Sequence, residues 1–158
     1  DNLRATQFRL RHPTVSLNAG YNWTLAKDED FGGFGDLFDL LCPWLEQGLT
    51  NGWTLPECIV HCHIQCMATY PDSLIARKCG LETAEEAAAG AARVLESGWP
   101  LTVTDGLFEE FDQWLREDGN RRNPGTSADL VAACLFLALR AGIIGLPPIV
   151  PGNGNRQA

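Results

Sequence analysis

The chain has 158 residues, 45% of them hydrophobic and 20% charged, values that fit one soluble globular domain. Its formal net charge of −8 lacks the surplus of Lys and Arg that displaces counterions, which argues against a general nucleic-acid binder or a binder of anionic membranes; any anion must be met locally. Six cysteines fall short of the density of a small disulfide scaffold, so reduced thiols in a cytoplasmic protein are expected.

Residues 1–30 show neither a sustained helical period nor a charged n-region followed by an apolar h-region, so an irregular segment without a secretory signal is expected there. Alternation at 8–10 and 14–17 is the nearest approach to a strand. Gly32-Gly33-Phe34-Gly35 follows no predicted strand and is read as a turn. From there to residue 145 helical signals dominate, which predicts an all-α, multi-helix bundle over 31–145. Leu37, Leu40, Leu41, Trp44 and Leu45 form one stripe at the helical period, with Pro43 either kinking that helix or opening a second one.

Thr54-Leu55-Pro56-Glu57 has the form of a capping box, and the helix it opens is expected to run to Thr69, before Pro71. Asp72 can cap a short helix from Ser73 to Cys79, with Gly80 at its left-handed end. A second capping box is predicted at Thr83-Ala84-Glu85-Glu86, opening an alanine-rich helix that Gly98 closes. Its small residues Ala84, Ala87, Ala88 and Ala91 share a face that another helix can approach closely. From Thr104, the stripe Leu107, Phe108, Phe111, Trp114 and Leu115 marks an amphipathic helix ending at Gly119.

Thr126 or Ser127 is expected to cap the last helix, whose Leu130, Val131, Cys134, Leu135 and Ala138 suggest a central position in the bundle. Its apolar run is interrupted by Arg140 and Gly142 and stays short of the roughly 20 residues of a membrane span. The tail 146–158 is rich in Pro and Gly and is expected to be coil, docked through Ile149 and Val150.

Chemistry concentrates in two stretches. In Arg121-Arg122-Asn123-Pro124-Gly125-Thr126-Ser127-Ala128-Asp129, two arginines precede a helix N-terminus, where free amides and the positive end of the macrodipole favour a phosphate. Gly125 permits close approach of the backbone, the hydroxyls of Thr126 and Ser127 add donors, and Asp129 could hold a divalent ion bridging phosphate oxygens. The same residues also fit a structural reading, with Asp129 closing a capping box on Thr126 and the arginines solvated.

Asp72-Ser73-Leu74-Ile75-Ala76-Arg77-Lys78-Cys79-Gly80 repeats the design: an acid at a helix start and a basic pair at its end. The two clusters could share one polyanionic ligand, although helix-end charges alone would also account for each. His61 and His63 lie among Cys58, Cys62 and Cys66, but along three turns of one helix these thiols are too spread to chelate one zinc ion, and buried apolar cysteines are expected instead.

Asn123-Pro124-Gly125-Thr126-Ser127-Ala128-Asp129-Leu130 resembles the C-terminal signature of the triphosphoribosyl-dephospho-CoA synthases, and the Asp72 to Gly80 stretch resembles an Asp-Thr-containing motif they carry earlier in the chain. The ending Arg77-Lys78-Cys79-Gly80 departs from the Arg-Gly-Gly type of the citrate lyase members. The resemblance implies an all-helical enzyme longer than this chain, of which the chain is the C-terminal half. The activity it implies is transfer of the triphosphoribosyl group of ATP to dephospho-CoA with release of adenine, making the prosthetic-group precursor of citrate lyase or malonate decarboxylase. It further implies Mg²⁺ as cofactor and small-molecule nucleotides as partners. Asp129 and Asp72 become the candidate catalytic and metal-binding carboxylates, and Arg77, Lys78, Arg121, Arg122, Asn123, Gly125, Thr126 and Ser127 the phosphate-binding residues. The alternative is a non-catalytic helical module that binds a phosphorylated ligand or protein partner.

Overall fold

The computed structural model describes residues 40–100 and 106–145. These form six α-helices and no strand: α1 (Cys42–Thr50), α2 (Leu55–Thr69), α3 (Ser73–Cys79), α4 (Leu81–Glu96), α5 (Leu107–Arg116) and α6 (Gly125–Arg140), with a short 3-10 turn at Asp118–Asn120 between the last two. The all-α expectation holds. The segment 1–30, the glycine-rich turn at 32–35, the weak strand candidates and the tail 146–158 lie outside the described residues.

Pro43 sits in the first turn of α1, and helical backbone already precedes it: Leu40 and Leu41 form a π-type turn that runs into α1, with Leu41 at φ −66° and ψ −47°. The capping box of α2 is formed in full: the Glu57 amide donates to the Thr54 hydroxyl at 3.4 Å, and the Thr54 amide donates to the Glu57 carboxylate at 2.7 Å. These bonds also hold the Glu57 carboxyl below its ordinary range. The helix ends at Thr69, as the following Pro71 dictates.

α2 is the wall between two cores. Its Cys58, Cys62 and Cys66 recur every fourth residue and face Leu41, Cys42 and Leu45 before and within α1, and Leu130, Val131, Cys134 and Ala138 of α6. Its Ile64 and Met67 face Ile75 of α3, Ala84, Ala87, Ala91 and Val94 of α4, and Phe111 of α5. All six cysteines are free and five are buried, as expected of thiols that pack as small apolar groups. At Gly48 a Cβ would lie 2.8 Å from the Cys58 sulfur, which shows how closely α1 approaches α2.

Three local expectations are corrected. α4 begins at Leu81, not at a Thr83 capping box: Gly80 (φ +97°) ends α3 and starts α4, and the Thr83 hydroxyl donates back to the Cys79 carbonyl. α6 begins at Gly125 with no side-chain cap from its own segment, so Thr126 and Ser127 lie inside its first turn. α6 also lies to one side of the described bundle, burying a stripe from Ser127 to Ala138 while Phe136 stays 54% exposed; α2 holds the central place. No helix among the described residues is long and apolar enough to cross a membrane.

Candidate functional site

The two motif stretches meet. Asp72, the N-cap of α3, is buried and spreads four hydrogen bonds over two helix starts: one carboxylate oxygen accepts from the amides of Leu74 (2.9 Å) and Ile75 (3.1 Å), the other from the amide and hydroxyl of Ser127 (both 2.8 Å). One charge therefore caps α3 locally and α6 from a distance, and both helix dipoles point their positive ends at it. Beside it the hydroxyls of Ser73 and Thr126 bond at 2.9 Å. Leu74 occupies the space a side chain at Gly125 would need, since a Cβ there would lie 2.4 Å from Leu74 Cδ2. Gly125 thus lets α3 and α6 pack closely.

The two candidate carboxylates do not face one another. Ser127 faces Asp72, and Asp129, two residues further along α6, is rotated about 200° around the helix from it. Asp129 is exposed, whereas every oxygen of Asp72 is engaged and shut from solvent. Asp72 thus takes a structural place in this arrangement, and Asp129 is the carboxylate that faces outward.

The basic residues also separate by role. Arg77 and Lys78 are exposed at the end of α3. Arg121 reaches that end, donating to the Lys78 carbonyl at 3.0 Å and pairing with Asp118 at 3.4 Å, with its guanidinium still largely exposed. Arg122 turns away: it donates to the Trp114 carbonyl at 2.8 Å, lies 4.3 Å over the Trp114 ring and approaches Glu117 at 3.5 Å. Its work is to fasten the end of α5. Asn123 is exposed, and its carbonyl accepts from the Gly125 amide at 2.9 Å.

Next to this junction lies a cleft of about 310 Å³ between α2, α5 and the loop that leads to α6. Val60, Ile64, Met67, Phe108, Phe111 and Leu115 give it apolar walls, while His63, Asp112, Arg116, Asn120, Asn123 and Pro124 supply the polar lining. The loop is held in an uncommon conformation, with Asp118, Gly119 and Asn120 at φ of +57°, +62° and +62°.

His63 is the residue that motif reasoning passed over. Its Nε2–H donates to the Pro124 carbonyl at 3.4 Å, tying α2 to the start of α6 at the cleft wall. Burial pushes its pKa below the ordinary 6.5, against the opposing pull of the Pro124 carbonyl and the Asp72 charge. The available signal was its spacing: Val60, His63, Ile64 and Met67 recur at i, i+3, i+4 and i+7 on one face of α2. His61 lies apart, packed edge-on to Trp53 at 4.8 Å and stacked on Trp99 at 6.4 Å, with its pKa also lowered by burial.

Among the described residues no group of three His, Cys, Asp or Glu side chains is placed to share a metal ion. Burial drives the Cys62 thiol far upward, Cys134 is raised first by its hydrogen bond to Cys42, and Cys58 is raised by burial, so these sulfurs are poor nucleophiles and ligands. Of the two carboxylates of the motif stretches, Asp129 is the one whose oxygens are open to solvent.

No solved structure matches the chain. A protein of Pseudomonas syringae pv. tomato described as "Probable 2-(5''-triphosphoribosyl)-3'-dephosphocoenzyme-A synthase" is 27% identical over 113 residues, which cover 71% of this chain and 38% of that protein. The family model "CitG: ATP:dephospho-CoA triphosphoribosyl transferase" matches residues 6–145, which include both motif stretches, the junction and the cleft, and the chain belongs to that family.

Proposed function

We propose that this chain serves in the transfer of the triphosphoribosyl group of ATP to a ribose hydroxyl of dephospho-CoA, with release of adenine. The observation that carries the reading is the meeting of the two motif stretches on the Asp72 carboxylate, inside the segment that the family model matches. That junction brings the exposed Arg77, Lys78 and Arg121 to one end of α3, where they can meet a polyphosphate from a chain whose other charges would repel it. Such a transfer proceeds through an oxocarbenium-like state and requires a carboxylate to accept the acceptor hydroxyl's proton. Asp129 is the candidate here for that proton and for the ion that accompanies the triphosphate. Mg²⁺, when bound, neutralises charge on the phosphates. Asp72 and Ser127 act by holding α3 and α6 in place, and Arg122 by anchoring α5. Six free thiols fit a cytoplasmic setting.

The test is calorimetric titration of the chain with ATP and Mg²⁺, followed by chromatographic detection of adenine after dephospho-CoA is added. Asp129→Ala is expected to weaken nucleotide binding or stop adenine release while leaving the thermal midpoint unchanged. A chain that binds no nucleoside triphosphate at millimolar concentration would overturn the reading, and one that binds ATP tightly but never frees adenine would reduce it to binding alone.

A further inference from the structure

The cleft between α2 and α5 is not a phosphate site. Its one cation, Arg116, is already held by Asp112 through bonds of 2.7 and 2.9 Å, and this pair leaves the lining without net charge. It offers instead apolar walls and a rim of uncharged donors and acceptors. Phe108 is fixed by stacking on Trp99 at 5.0 Å, and Phe111 is seated over Gly90, where a Cβ would lie 2.6 Å from its ring. Asn120, Asn123 and His63 are the uncharged polar side chains among its lining residues. A volume of about 310 Å³ lies at the small end for ligand sites, which run from about 300 to 1,000 Å³.

That combination suits a flat, uncharged heteroaromatic ring with a donor and an acceptor side by side on its edge. Adenine presents such an edge, and a carboxamide is its natural complement. The loop supports the assignment: its left-handed run ends at Asn120 on the cleft rim, and the next residue, Arg121, joins the exposed cations at the end of α3. Base and phosphates of one nucleotide would thus be met by consecutive residues of one loop. We infer that this cleft takes the adenine base of a nucleotide substrate, with Asn120 and Asn123 on its polar edge and Phe108 and Phe111 against its ring. The inference rests on the function proposed above and adds the place of the base. ATP and dephospho-CoA both carry adenine, so the experiment has to separate them.

Binding of three probes is measured by calorimetry: ATP with Mg²⁺, inorganic tripolyphosphate with Mg²⁺, and dephospho-CoA. Asn120→Gly removes the carboxamide and keeps the positive φ accessible, so the fold is retained; Val60→Phe fills the cleft, and its thermal midpoint is checked in parallel. Both variants are expected to lose about tenfold in affinity for one adenine nucleotide while tripolyphosphate binding stays unchanged. The nucleotide that loses affinity identifies which substrate places its base there. If both variants bind ATP and dephospho-CoA like the wild type, the cleft assignment is overturned while the triphosphate reading stands. A wild-type chain that binds none of the three probes overturns both.

Discussion

The junction of α3 with α6 and the cleft between α2 and α5 share the loop that leads into α6, yet they are opposite in kind. At the junction every donor has its acceptor: Asp72 takes four hydrogen bonds, Ser73 meets Thr126, and Leu74 fills the space over Gly125. At the cleft the polar side chains of Asn120 and Asn123 stand exposed beside apolar walls. The first region spends Asp72, Gly125 and Ser127 of the motifs on architecture, and the second, lined by Asn123 and Pro124 of the signature together with residues outside either motif, leaves polar residues exposed. A motif can therefore mark where helices are fastened.

Substitutions should separate the two regions, and the largest effect belongs to the junction. Asp72→Ala strands the Ser127 donors in a buried place and removes the cap of α3, a loss of about 3 kcal/mol or more in urea denaturation. Asp72→Asn keeps one acceptor oxygen and should lose about half as much; an unchanged midpoint in both would erase the junction's structural role. Gly125→Ala should cost about 2 kcal/mol, because its methyl group collides with Leu74. Adding Leu74→Ala should recover part of that cost, and strict additivity of the two changes would show that the contact is absent.

Arg122→Ala should lower stability by about 1–2 kcal/mol through loss of the Trp114 carbonyl bond and ring contact, with Arg122→Lys recovering little because an ammonium lacks the planar fork. Arg121→Ala should do the reverse, weakening ATP binding while leaving the denaturation curve in place; equal effects from the two arginines would break the division drawn here. The smallest effect is a pH dependence. Burial lowers the folded-state pKa of His61 and His63, so the unfolded chain binds more protons just below pH 6.5. Stability contributed by neutral histidine is then complete above 6.5 and declines as pH falls from there towards the folded-state values. His63→Gln should flatten that slope, and a slope of opposite sign in the wild type would overturn this account of the histidines.

Where local chemistry decided the structure, the sequence could be read directly. The α2 box at Thr54 and Glu57, the bounds of α3 between Asp72 and Gly80, and the cysteines at every fourth position of α2 each follow from residues within one or two turns. Where a distant partner decided, reading failed. α6 takes its cap from Asp72 instead of Thr126 or Ser127, whereas α4 departs from expectation for a local reason, starting on a glycine that also ends the preceding helix. Among the site residues, the approach of the two motif stretches was legible from their matching design. The separation of Asp72 from Asp129 was not, because it depends on which side of α6 turns inward. The cleft was invisible for the same reason: α2, α5 and the loop contribute lining residues from Val60 to Pro124, and nothing local links them.

The borrowed cap of α6 also bears on how this molecule can be cut and rejoined. The first turn of that helix is completed by a carboxylate 55 residues away, so α6 carries no complete starting signal of its own. An excised peptide beginning at Gly125 should fray at its N-terminus, and transplanting the Asn-Pro-Gly signature into another scaffold without an equivalent of Asp72 would move the letters without the shape. Modular engineering of this domain has to carry α3 and α6 together.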